Sequence, residues 1–239
     1  MQDPSMEPTF VQENAQDDSA TAHWSVSDTW LGVGLLVMLI AVTFLIAAFS
    51  PSITDTPLFM IGFELLLLAP IAIIFVWRKV SWRELGFRKF DWSVIGLGCG
   101  ALIFAYILIF VHNLIMTALG IITQGDVIFD VFDNLDSPIL FFFVGMVMAP
   151  LMEETFYRGF LFKGFRQKYG WKAALILSAF IFSLSHLQLA ALFPTFLLGC
   201  ILAYMYHRTN SLFPGMILHF MINAWGLCAA FALYKSRGI

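Results

Sequence analysis

Seven long apolar runs, at about 30–49, 57–77, 93–119, 138–162, 171–186, 189–206 and 212–233, dominate the chain. Most of them approach the roughly 20 residues that cross a bilayer as helix. Hydrophobic residues make up 60% of the 239 positions and charged residues 12%, against roughly 45–50% and about 25% in soluble domains. A backbone in lipid must satisfy its own hydrogen bonds, so the expected fold is all-α, a polytopic transmembrane helical bundle of about seven to eight spans, the eighth being short or re-entrant. Residues 1–28 contain no Lys or Arg and little apolar periodicity, which predicts a disordered tail ahead of one membrane-embedded domain over 29–239.

The basic residues lie in few loops. Arg78, Lys79, Arg83, Arg88 and Lys89 fall in one connection, Lys163, Arg166, Lys168 and Lys172 in a second, and Arg208 in a third, while 50–56, 120–137 and 187–190 hold none. Loops rich in Lys and Arg stay in the cytoplasm, so the expected N-terminus is cytoplasmic and the C-terminus, with Lys235 and Arg237, is outside. The connection 120–137, with Asp126, Asp130, Asp133 and Asp136, is then also outside. Short loops and small size point to an integral protein of a bacterial plasma membrane, with lipid as its surroundings. A net charge of −3 with this loop bias suggests no nucleic-acid partner. Cys99, Cys200 and Cys228 lie in apolar spans without a C-x-x-C pattern and read as buried small hydrophobes. Gly96 with Gly100, and Gly199 with Ala203, have the four-residue spacing that lets membrane helices approach closely.

Within the spans the ionisable residues are Glu64, His112, Glu153, Glu154, Arg158, His186 and His219, with Asn113 and Asn223 as amides. Each must face protein or a wet cavity. Glu154 and Arg158 are four apart and can pair on one helical face, which leaves Glu153 without a cation, as suits a general base. His219 and Asn223 also share a face. At about 1.5 Å per residue, Glu153 lies roughly 13 Å from the cytoplasmic end of its span, His219 and Asn223 roughly 10 and 16 Å from theirs, and His186 roughly 21 Å. These depths allow all four to meet. A carboxylate, two imidazoles and a carboxamide can activate water and hold the oxyanion formed at a carbonyl, the equipment of amide hydrolysis. No G-x-S-x-G elbow and no H-E-x-x-H helix occurs, although Glu153, His186 and His219 are a donor set that zinc accepts. Glu64, His112 and Asn113 read as helix-to-helix hydrogen bonders, and His207 as a residue of the cytoplasmic surface.

In order and spacing, "EETFYR" at 153–158, "FSLSH" at 182–186, "FLLGCILA" at 196–203 and "HFMIN" at 219–223 resemble the four motifs of the CPBP family of intramembrane proteases. That family includes type II CAAX prenyl endopeptidases and bacteriocin-processing or immunity-type proteins. The resemblance covers roughly 138–235, and "WRELGF" at 82–87 resembles a segment often upstream of that core. It implies a bundle whose cavity opens to the cytoplasm, with Glu153 as general base, His186 as its partner, His219 and Asn223 at the oxyanion, and Glu154 and Arg158 ordering the site. Such enzymes are often labelled metalloproteases, but the resemblance fits a metal-free, water-activating site at least as well, with zinc as the alternative cofactor. The implied substrate is a membrane-anchored protein or a peptide. A catalytically silent scaffold or immunity factor, and a proton-coupled transporter, are the competing readings.

Overall fold

The computed structural model describes residues 21–50, 56–133 and 138–236. Residues 1–20 of the tail expected over 1–28, together with Asp136 and Arg237, lie outside the described residues. Among those described there is no strand, and six helices are long and apolar enough to cross a membrane.

Helix α1 (Val26–Phe49) begins at a capping box: Asp28 N–H donates to the Ser25 hydroxyl, and Ser25 N–H donates to the Asp28 carboxylate. Asp28 is buried and takes Arg78 in a forked pair, Nη2 to Oδ1 at 2.8 Å and Nε to Oδ2 at 3.0 Å. Trp24 packs between Phe75 and Phe160. The packed region therefore includes residues that composition alone groups with the tail.

The second span is split into α2 (Pro57–Leu66) and α3 (Ala69–Arg78). Pro70 supplies no N–H and crowds the carbonyl four residues back, which accounts for the break. A 3-10 turn, Trp82–Leu85, precedes α4 (Ser93–Ala118), and α5 (Gln124–Asp133) follows.

The run Pro138–Leu184 is 47 residues long. It consists of α6 (Pro138–Phe143), a π-helical stretch (Val144–Met148), α7 (Ala149–Glu154), a second π stretch (Thr155–Phe162) and α8 (Lys163–Leu184). It is not one rod. Gly170 has φ 74° and ψ 166°, a region open essentially to glycine alone. The Tyr157 hydroxyl donates to the Ser185 hydroxyl across 2.7 Å, whereas a straight helix would hold residues 28 apart about 42 Å from each other. The chain reverses at Gly170, and the limb after it is the expected span 171–186, so that the merged run supplies two of the seven expected spans. Helices α9 (Leu189–Thr209) and α10 (Phe213–Ser236) complete the bundle.

This alternation gathers the N-terminus of α1, the 3-10 turn, the Gly170 reversal and the α9–α10 connection at one end, the basic end. The far end holds the C-termini of α4 and α10, the start of α6, and α5, whose Phe132 packs on Phe141, Phe142, Phe231 and Tyr234. The basic end is sealed by "WRELGF". Lys163 Nζ donates to the Glu84 carbonyl at 2.7 Å, Tyr206 Oη to that of Leu85 at 3.0 Å, and the Ser211 hydroxyl to that of Arg88 at 2.6 Å. Behind them Phe156, Phe160, Leu161, Phe162 and Phe165 have no exposed surface.

Gly199 and Ala203 behave as expected. A Cβ on Gly199 would meet Phe182 and Ala179 at 3.1 and 3.2 Å, and Ala203 is fully buried. Gly96 and Gly100 do not, since nothing lies within 4 Å of a Cβ built on either. The contact on that helix belongs to Gly98, pressed against Leu218. Two residues turn a helix by about 200°, so the small-residue pair marks the opposite face. Cys99 and Cys200 are half-buried, but Cys228 is exposed rather than buried.

Candidate active site

Glu154 and Arg158 form the expected pair. Arg158 Nη1 donates to Glu154 Oε1 at 2.8 Å with both residues fully buried. Arg158 Nη2 donates to the Gly199 carbonyl at 3.2 Å, joining α9 to the pair. The Arg158 guanidinium lies 4.5 Å from the Phe182 ring centroid, a cation over an aromatic face. Phe182 also meets His186 and His219 edge to face, with centroids at 4.8 and 5.9 Å. Phenylalanine opens the "FSLSH" stretch because its ring is the common wall of both imidazoles and the arginine.

His219 stands between the two glutamates. Its Nδ1 is 3.0 Å from Glu154 Oε1, and its Nε2 is 3.5 Å from Glu153 Oε2. An ionised carboxylate only accepts, so Nδ1 carries the proton there. His186 Nδ1 lies 2.9 Å from the Phe182 carbonyl and must likewise be the donor. Both rings are thereby fixed in tautomer and orientation, and both leave Nε2 for chemistry. Asn223 gives one amide N–H to the Gly145 carbonyl at 2.7 Å and keeps its second.

Glu153, His186, His219 and Asn223 all line one cavity of about 400 Å³. The four residues expected to converge do share a site. His219 faces Glu153 as well as Glu154. The sequence could not show this, because His219 arrives from a span 65 residues away. The two carboxylates sit between the two π stretches, which reset the helical phase around them, and such widenings recur at functional sites.

Three features escaped sequence reasoning. Glu64, at the end of α2, lies close enough to act electrostatically on Glu153, and its buried Oε2 has no hydrogen-bond partner. The signal was present, as Glu64 is the one ionisable residue in its apolar run. Asn113, grouped with helix-to-helix bonders, lines the cavity together with Thr123 and Gln124. Gly215 lets α10 approach the site: a Cβ there would stand 2.6 Å from Glu154 Oε2. His112 stacks on Phe193 and His207 on Trp171, both away from the cavity lining.

The direction of the cavity sets two expectations against each other. Its other lining residues, Ile109, Asn113, Thr123, Gln124, Phe141 and Ala230 among them, belong to the far half of the bundle, whereas the basic end is closed. A cavity open to the cytoplasm and basic loops in the cytoplasm cannot both hold. As for zinc, no three His, Cys, Asp or Glu side chains among the described residues are placed to hold a metal ion.

No curated protein and no solved structure matches the chain. Residues 135–225, which carry all four motifs, match the family described as Type II CAAX prenyl endopeptidase Rce1-like, and over that segment the CPBP-type resemblance holds.

Proposed function

We propose that the chain is an intramembrane endopeptidase in which Glu153 and His186 activate a water that attacks a peptide carbonyl. The observation that carries this is the shared cavity: Glu153, His186, His219 and Asn223 line it, and both imidazoles have Nδ1 engaged by an acceptor. The match over 135–225 supports a CAAX-type peptidase. Glu153, aided by His186 Nε2, takes a proton from water as the oxygen bonds to the carbonyl carbon. The oxyanion then receives the free Asn223 N–H and lies against the cavity-facing edge of the His219 ring. Collapse breaks the C–N bond, and the proton held by the Glu153 pair goes to the leaving amine. Glu154 and Arg158 do not touch the substrate. They hold His219 through its Nδ1.

No step is routed through a metal. Hydrolysis should persist in strong chelator, with no stoichiometric metal by elemental analysis, and chelator-sensitive activity restored by zinc would reject this part of the proposal.

One observation favours a silent scaffold: Glu154, Arg158, Gly199 and His219 tie three spans together whether or not anything is cleaved. Glu153→Gln separates the readings. The variant should keep its thermal midpoint in detergent, and the cleavage products seen by terminal-peptide proteomics of wild-type membranes should vanish. A lowered midpoint, with no product from the wild type either, would favour the scaffold.

A further inference from the structure

Ten of the 13 Lys and Arg residues lie in the connections gathered at the basic end, namely Arg78, Lys79, Arg83, Arg88 and Lys89 in one loop and Lys163, Arg166, Lys168, Lys172 and Arg208 in the other two. Arg158 is in the site, Lys235 is in the last turn of α10 at the far end, and Arg237 lies outside the described residues. Such an asymmetry in short loops sets a membrane protein's orientation and puts the basic end in the cytoplasm. The buried aromatic layer Phe156, Phe160, Phe162 and Phe165, and the "WRELGF" strap, close that end. The cavity leaves the catalytic groups the other way, past Asn113 on α4, Phe141 on α6 and Ala230 on α10, to a mouth bounded by Thr123 and Gln124 at the start of α5. Its lining carries amides and a hydroxyl toward that mouth, as a wet passage requires.

We infer that the catalytic cavity is loaded from the extracytoplasmic face, so that its substrates are exported or translocated polypeptide segments and not cytoplasmic tails. The inference rests on the endopeptidase reading for the word substrate, and on cavity direction and charge distribution for the rest. The path also limits the substrate's shape. From Glu153 to Phe141 is 12 residues of chain and from His219 to Ala230 is 11, a depth of about 16–18 Å at 1.5 Å per residue. An extended chain spans up to about 3.4 Å per residue, so about five residues must enter unfolded before the scissile bond reaches Glu153. A terminus or an unstructured loop beside the outer surface meets that condition, whereas a helix still buried in lipid does not.

The test uses the full chain with Cys99, Cys200 and Cys228 replaced by Ala, carrying either Gln124→Cys at the mouth or Arg83→Cys at the basic end, both exposed positions. Cells are treated with a membrane-impermeant maleimide before or after permeabilisation. The expected result is that Q124C labels as fully in intact cells as after permeabilisation, whereas R83C loses its labelling unless cells are opened. The reverse pattern, or equal labelling of both in intact cells, overturns the inference. Should the cysteine variants fail to accumulate, a reporter fused after Ile239 decides: activity of a periplasm-dependent enzyme supports loading from outside, and fluorescence of a cytoplasm-dependent one overturns it. Labelling does not need hydrolysis. An inactive protein with the expected pattern rejects the peptidase and keeps the orientation, and an active one with the reverse pattern does the opposite.

Discussion

At the residue scale the three charges near the middle of the 138–162 run have different duties, and variants should separate them. Arg158 is buried against Glu154, the Gly199 carbonyl and the Phe182 ring. Removing one partner of a buried pair leaves an uncompensated charge, a loss of about 3–5 kcal/mol. Arg158→Ala should therefore lower the thermal midpoint in detergent and abolish activity together, unlike Glu153→Gln, and an R158A protein of unchanged midpoint would contradict the buried pair. Glu64 presents the converse case, a buried carboxylate oxygen with no hydrogen-bond partner. A neutral amide of the same shape removes an uncompensated charge, so Glu64→Gln should leave the midpoint equal or raise it. A clear fall would mean that this carboxylate holds the bundle together. Gly215→Ala should push Glu154 Oε2 from its place and reduce kcat while the spans still assemble. Full activity in that variant would show that the Glu154–His219 contact is dispensable.

At the element scale the decisive device is the reversal at Gly170, which makes one 47-residue helical run into a hairpin and brings Phe182, Ser185 and His186 beside Tyr157 and Arg158. Alanine at φ 74° and ψ 166° carries a backbone strain of about 1–3 kcal/mol. Gly170→Ala should lower the midpoint accordingly although nothing lies within 4 Å of its Cβ, and an unchanged midpoint would mean that the turn can adopt another conformation. The turn was legible as the gap between the runs ending at 162 and starting at 171. The π stretches were not, because apolar residues fill every position of 155–162 except Thr155, Arg158 and Gly159 and leave no phase to read. The same limit misassigned the glycines of α4: spacing identified Gly96 and Gly100, while the surface of α10 selected Gly98.

At the scale of the whole molecule the two ends differ, one plugged by aromatic rings and hydrogen-bonded to a loop, the other leading by a mostly apolar passage with a few amides to three separate spans. Membrane class, helical fold, the order of the spans and the choice of Glu153, Glu154, Arg158, His186, His219 and Asn223 as candidate residues were determined by the sequence alone. Hydrocarbon tolerates so few polar groups that each one written into a span declares itself. The Glu154–Arg158 pair was legible for the same local reason, a four-residue spacing on one helix. Only the tertiary structure decided that His219 bridges both glutamates, that Glu64 stands near them, and that the cavity opens away from the basic loops. Those relations join residues tens of positions apart, and how neighbouring helices rotate and which gaps their side chains fill is set by packing between spans, which no single run of apolar residues encodes.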